Sequence, residues 1–257
     1  MIIKILAGAF GFFGAFGALD LAAQTLHDSP LRPFVGTCPR CGVRRGWLSL
    51  RCPECGRPAY REIPLVALGT VAAVLFSNTV GGSWALVAYL GFLLLSFALG
   101  VTDLDALRIV DRLNLRGTAL LIGLLGLGAL MDGSPSAFGR SLLGGLAYLA
   151  GTALVFLVAG GKGFGFGDVK LSVQLGVFTG YISWGTLGWA VFITAILGGV
   201  VSLIVLLVAT IGSRTSDSSG TDVKSAMRAE LPYGPWMILG AWGAIALAGL
   251  GAFPLPS

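Results

Sequence analysis

Apolar residues run in long blocks along most of this chain, separated by short polar breaks. The blocks lie at about 3–25, 64–80, 83–102, 116–131, 141–160, 169–183, 185–212 and 233–252. Several approach or exceed the roughly 18–20 residues that a helix needs to cross a bilayer. The pattern predicts an all-α polytopic membrane protein of about eight transmembrane helices. The sixth block is short. The first begins at Met1, like a signal peptide, but it lacks a convincing n-region and cleavage site and carries Asp20 near its end. It reads as a retained helix. Three parts follow: a first transmembrane helix at 1–25, a cysteine-bearing segment at 26–63, and a membrane core at 64–257. The polar, Ser-rich stretch 213–230 reads as a flexible loop.

Composition sharpens this picture. The 257 residues are 55% hydrophobic and 11% charged, with a mean hydropathy of +0.87. A soluble domain carries about 25% charged residues, so most of this chain does not face water. The 40 glycines suit membrane helices, whose backbones pack closely where side chains are small.

The net charge of +5 raises nucleic acid as a partner. Cytoplasmic loops of a membrane protein account for it better. Seven arginines (32, 40, 44, 45, 51, 57 and 61) follow the first block, and Arg108, Arg112 and Arg116 follow the third. Lys162 and Lys170 follow the fifth, and Arg214, Lys224 and Arg228 the seventh. With eight spans and the N-terminus outside, 15 of the 17 basic residues fall on one side, all but Lys4 and Arg140. That bias assigns the side to the cytoplasm. The lipid bilayer is then the expected partner, and nucleic acid is not.

The four cysteines form two matched motifs, Cys38-Pro-Arg-Cys41-Gly42 and Cys52-Pro-Glu-Cys55-Gly56, ten residues apart. Four thiolates at this spacing can close a tetrahedral zinc site, and a glycine after each pair suits the backbone of such a turn. The segment is too short to bury a core, so a bound metal would supply its stability. A reducing cytoplasmic setting disfavours disulfides. A membrane thiol oxidoreductase is the rival reading.

Ionisable residues in membrane segments are functional candidates. Asp103 and Asp105 end the third block, and Asp168 opens the sixth. By the topology above, both stretches lie at the same membrane boundary. Two carboxylates brought close cannot both ionise easily, so such a pair shares a proton. One can then act as base toward water while the other hydrogen-bonds a carbonyl. Gly165 and Gly167 could let a substrate backbone approach Asp168. Asp105 and Asp111, near Arg108 and Arg112, also fit interfacial ion pairs. On these residues alone, an aspartic protease and an ion transporter with paired aspartates stand level. His27 is the one histidine, which leaves little room for other hydrolytic chemistries.

The ordered set of motifs resembles the type IV prepilin peptidase family, GxGD-type intramembrane aspartic proteases of pilus and type II secretion systems. The paired CxxC motifs resemble its cytoplasmic zinc-binding segment. Arg61-Glu62-Ile63-Pro64-Leu65-Val66 resembles its Tyr-Pro-Leu-Val entry to the next helix, and Asp103 through Asp111 its Asp-x7-Asp motif. Gly165-Phe-Gly167-Asp168-Val-Lys170 matches GxGDxK, and Pro232-Tyr-Gly234-Pro235 resembles a later Pro-Phe-Gly-Pro.

The resemblance implies a catalytic pair of Asp103 and Asp168, an active-site loop with Gly165, Gly167, Lys170 and Asp111, and structural zinc on Cys38, Cys41, Cys52 and Cys55. It implies prepilin or pseudopilin precursors as substrates, with a short basic leader cut on the cytoplasmic side of the inner membrane, usually after glycine. Many relatives also methylate the new N-terminus with S-adenosylmethionine, an activity linked to the N-terminal half. This chain departs from the family there, with Ala67 where Glu is common, and it has Val110 where Pro usually precedes the second aspartate.

Overall fold

The computed structural model describes residues 1–27, 37–38, 41–43, 52–56, 62–160, 165–215 and 233–252; at 205–206 and 208–215 it describes the backbone alone. The seven arginines of the 26–63 segment, Lys162, Pro232 and residues 216–230 of the Ser-rich stretch lie outside the described residues. The described residues form eight helices and no strand. These are α1 (Ile2–Leu26), α2 (Ile63–Val80), α3 (Ala85–Ala106), α4 (Asp111–Met131), α5 (Pro135–Val158), α6 (Phe166–Ile182), α7 (Trp184–Thr215) and α8 (Gly234–Gly249).

Six of them are long and apolar enough to cross a membrane: α1 to α5, and α7 through Ile204. Helix α8 is apolar but shorter. Helix α6 belongs to neither group, and its burial explains why. Asp168, Ser172, Gln174 and Thr179 all lie on it, and nearly every residue from Asp168 to Tyr181 is buried by neighbouring helices. It is a central helix that faces protein, where polar side chains are tolerated.

Helix ends depart from the apolar blocks. Helix α3 continues a turn past the expected 102, so Asp103 lies inside it, and α4 starts at Asp111 instead of 116. Hydropathy locates the apolar slab, whereas hydrogen bonding and caps locate helix ends. Leu107 closes α3 in the left-handed region (φ 51°), and its N–H donates to the Asp103 carbonyl at 2.9 Å. Val110 is extended and starts α4. Helix α5 begins at Pro135, six residues before its block, because proline fits the first turn, where no N–H is needed.

Helices α3 and α6 meet at the centre. Phe92 stacks on Phe178 with centroids 4.3 Å apart, and the Tyr89 hydroxyl donates to the Phe178 carbonyl at 2.6 Å. Helix α8 joins through Trp242, whose indole N–H donates to Ser96 Oγ at 3.0 Å. Helices α5 and α6 touch backbone to backbone. A methyl group on Gly144 would lie 2.8 Å from the Gly176 carbonyl oxygen, so only glycine permits this approach.

The helices alternate in direction, which divides their ends into two sets. At one end, Asp132 accepts hydrogen bonds from Ser83 Oγ and from the N–H groups of Trp84 and Ala85, closing the start of α3. The Ser83 and Trp84 bonds hold the Asp132 carboxyl below the usual carboxylate range. At the same end Arg140 donates to the carbonyls of Gly180, Tyr181 and Ile182 at 2.6–2.9 Å. A cation on the orphan carbonyls of α6 complements its dipole. Arg140, an exception to the charge bias, is thus a helix cap. The opposite end carries the aspartates.

Candidate active site and metal centre

Helix α3 delivers Asp103 in its last turn, and α6 delivers Asp168 in its first. Both are buried, 6% and 5% exposed. The Gly165 N–H donates to Asp168 Oδ2 at 3.1 Å, the reach-back arrangement of an acidic residue at the third position of a helix. The Gly234 N–H, at the start of α8, donates to Asp103 Oδ2 at 3.2 Å. Gly234 is the first residue of that helix, with Pro235 next, so its N–H has no carbonyl of the same helix to bond and is available to Asp103.

Gly234 also measures the closeness of the two acids. A methyl group built on it would lie 2.8 Å from Asp103 Oδ2 and 3.3 Å from Asp168 Oδ1. The carboxylates thus face each other across a space that one methyl group would fill. Three helices, α3, α6 and α8, meet there. Such a pair can hold a proton between its members and bind a water.

The other candidate residues have distinct places. Lys170 Nζ bonds both Asp111 oxygens at 2.8 Å and lies 4.8 Å from the centre of the Phe166 ring. The ion pair ties the start of α4 to the start of α6. The sequence suggests Arg108 and Arg112 as partners for Asp111; in the fold its ion-pair partner is Lys170. Gly167 does not face open space. A methyl group on it would lie 3.1 Å from Ile109 Cβ, so its role is close packing of α6 on the 107–110 turn. Gly165 faces its own helix's Asp168, 3.3 Å away by the same construction.

Away from the dyad, the four cysteine sulfurs all lie within 4.8 Å of one another. Sulfurs on a tetrahedral zinc with bonds of about 2.3 Å would be spaced about 3.8 Å apart, so the set fits a metal ion. Both turns match, with Gly42 at φ 71° and Gly56 at φ 68°. Sulfurs of the two motifs approach each other, Cys38 to Cys55 at 3.6 Å and Cys41 to Cys52 at 3.5 Å, so the motifs form one cluster of four. Helix α1 anchors this module: buried Asp20 accepts the Thr37 N–H at 2.7 Å, and the His27 ring packs on Gly42.

A family model described as the type IV leader peptidase family matches residues 90–203, the segment that contains both aspartates. Proteins named prepilin leader peptidase/N-methyltransferase also align along most of the chain. The one from Aeromonas hydrophila is 28% identical over 204 residues, 77% of this chain and 63% of its own length. The chain is similar to the type IV leader peptidase family, by the family model over residues 90–203 and by these relatives over 77% or more of its length. The corresponding protein from Pseudomonas aeruginosa is 28% identical over 227 residues, 81% of this chain and 70% of that protein. The one from Burkholderia pseudomallei is 30% identical over 221 residues, 79% and 64%. The chain thus spans about two thirds of the length of these family members. No solved structure gives a significant match.

The sequence by itself gives Gly234 no role. Its signal was the Pro232-Tyr-Gly234-Pro235 run before an apolar block, a helix start with unpaired donors. Asp20, near the end of the first apolar block, likewise shows no role in the sequence beyond its charge.

Proposed function

We propose that this protein is an aspartic endopeptidase that removes the leader of prepilin-like precursors, with Asp103 and Asp168 as the catalytic pair. The observation that carries this reading is the meeting of two buried carboxylates from α3 and α6 at the start of α8. In the active state one carboxyl is protonated and the other ionised. A water between them attacks the scissile carbonyl carbon and gives its proton to the ionised carboxylate, while the other carboxyl donates its proton to the carbonyl oxygen. The tetrahedral adduct then collapses. The C–N bond breaks, the amine leaves with a proton from the dyad, and the leader departs as a carboxylic acid.

The glycine N–H on each acid supports the ionised state of whichever carboxylate holds the charge. The Lys170–Asp111 pair positions the starts of α4 and α6 around the site. The basic-residue bias supports a cytoplasmic location for this end, in the inner membrane of a bacterium, with the N-terminus outside. The 26–63 segment serves as a zinc-binding module on the 64–257 core, with zinc holding its fold together and taking no part in the hydrolysis. The relatives' names add a methyl transfer. We assign no residue to it, and S-adenosylmethionine is a cofactor here only if that second activity is present.

Incubation of the purified protein with a pilin-like precursor tests the reading. Cleavage should fall by up to about 10⁴-fold in both Asp103→Asn and Asp168→Asn, with folding retained. Full cleavage by either variant rules out the dyad, and ion flux without cleavage would favour transport.

A further inference from the structure

Beside the dyad, a groove of about 690 Å³ separates α5 from α7 and ends at α8. That is the size of a site for a mid-sized organic ligand, about 300–1,000 Å³. Its outer wall includes Ala147 and Gly151, which are exposed on the lipid-facing side of α5. Its inner end is formed by Tyr233, the neighbour of Gly234. Tyr148, also in its lining, lies within electrostatic reach of the Asp168 carboxylate. An occupant entering sideways from the bilayer would therefore have one end at the two carboxylates.

The walls are apolar with two conspicuous exceptions. Tyr148 and Thr194 are 6% and 4% exposed, and their buried hydroxyls lie next to each other without a hydrogen bond of proper geometry to any of the described residues. Buried hydroxyls are rarely left without partners. Their neighbours behave ordinarily: Thr152 in the same groove donates to the Tyr148 carbonyl at 2.9 Å. A lipid acyl chain could fill the apolar part but offers nothing to these two groups. A peptide that has left its helix offers what they lack. Its amides and carbonyls have lost their helical partners, and in an apolar setting each seeks another. A tyrosine or threonine hydroxyl can both donate and accept.

We propose that this groove receives the apolar segment that follows the scissile bond, and that Tyr148 and Thr194 hold its unwound peptide groups. The inference rests on the peptidase reading above. It makes Tyr148 and Thr194 positioning residues, and it makes the groove a determinant of which bulky apolar residues are accepted after the cut.

Three substitutions test it in protein reconstituted in bilayers. The probe is a synthetic precursor with a basic leader ending in glycine, then phenylalanine and an apolar helix. A side chain at Gly151 projects into open space, since a methyl group there meets nothing within 4 Å. Gly151→Leu should therefore fold normally, fill the groove, and raise KM by about tenfold. Changing the phenylalanine to alanine should recover part of that loss. Tyr148→Phe combined with Thr194→Val removes two unpartnered hydroxyls, so thermal stability should hold or rise. This variant should lower kcat by about tenfold or more with KM little changed, since the lost bonds form only once the segment unwinds.

A photoreactive side chain placed directly after the cut, with Asp103→Asn or Asp168→Asn protein, should cross-link to α5 near Tyr148. Cross-linking elsewhere, or normal cleavage by both groove variants, overturns the inference and leaves the peptidase reading intact. Cross-linking in the groove without cleavage by the unmodified protein overturns the peptidase reading and keeps the groove as a peptide site.

Discussion

The two ends of the helix bundle place charge on helix termini in opposite ways. At one end, Arg140 meets three carbonyls at the finish of α6, and Asp132 meets three donors at the start of α3. Each charge faces the helix pole that suits it, and each has several partners. At the other end, Asp103 and Asp168 are like charges, both buried, facing each other, with one glycine N–H apiece among the bonds described above. The first arrangement lowers the energy of the fold. The second costs energy unless a proton is shared, and that shared proton is what acid–base chemistry uses. The same physical device, a side chain at a helix terminus, thus serves stability at one end and, in the proposed dyad, reactivity at the other.

Substitutions at each end should separate these roles. The largest effect is expected from Gly234→Ala. Its new methyl group would press on both Asp103 Oδ2 and Asp168 Oδ1 and push them apart. Displacing catalytic groups by about 1 Å costs about 100-fold. Cleavage should fall by at least that much with little change in thermal unfolding, and near-normal cleavage would break the contrast.

Arg140→Met, at the far end, should do the reverse. It leaves carbonyls at the end of α6 without their donor, a loss of about 1–3 kcal/mol. Thermal or denaturant unfolding in detergent should show it, while kcat/KM at a permissive temperature stays close to normal.

The smallest effect is expected from Asp111→Asn. The Lys170–Asp111 pair is at the near end but is partly exposed, with Asp111 at 56%. Exposed pairs contribute about 0.2–1 kcal/mol. Stability should change within that range and the difference should shrink in high salt. A collapse of cleavage in Asp111→Asn, with folding intact, would move Asp111 from the scaffold into the chemistry.

Much of this arrangement is legible in the amino-acid sequence. Counting spans and basic residues puts Asp103 and Asp168 at the same depth, and the matched CPxCG motifs put four thiols within reach of one ion. Both inferences depend on local spacing, which a sequence displays directly. Helix ends are less legible, because the polar turns at Asp103–Ala106 and Asp111–Leu115 continue helices beyond the apolar blocks. The groove hydroxyls are not legible at all. Thr70, Thr152 and Thr179 all bond back to their own helices, as threonines in apolar helices commonly do. Nothing in the sequence distinguishes Thr194 from them. Gly167 misleads for a related reason: a glycine beside a candidate acid suggests room for substrate, and only packing shows Ile109 filling that room.

The central claim, that Asp103 and Asp168 work as one unit holding one proton, is tested most directly by the pH dependence of kcat/KM for precursor cleavage. The account predicts a bell, because the pair is inactive when both acids are protonated and again when both are ionised. It also predicts that neither Asp103→Asn nor Asp168→Asn retains that bell at any residual rate. A flat profile, or an unaltered bell in either variant, would contradict it.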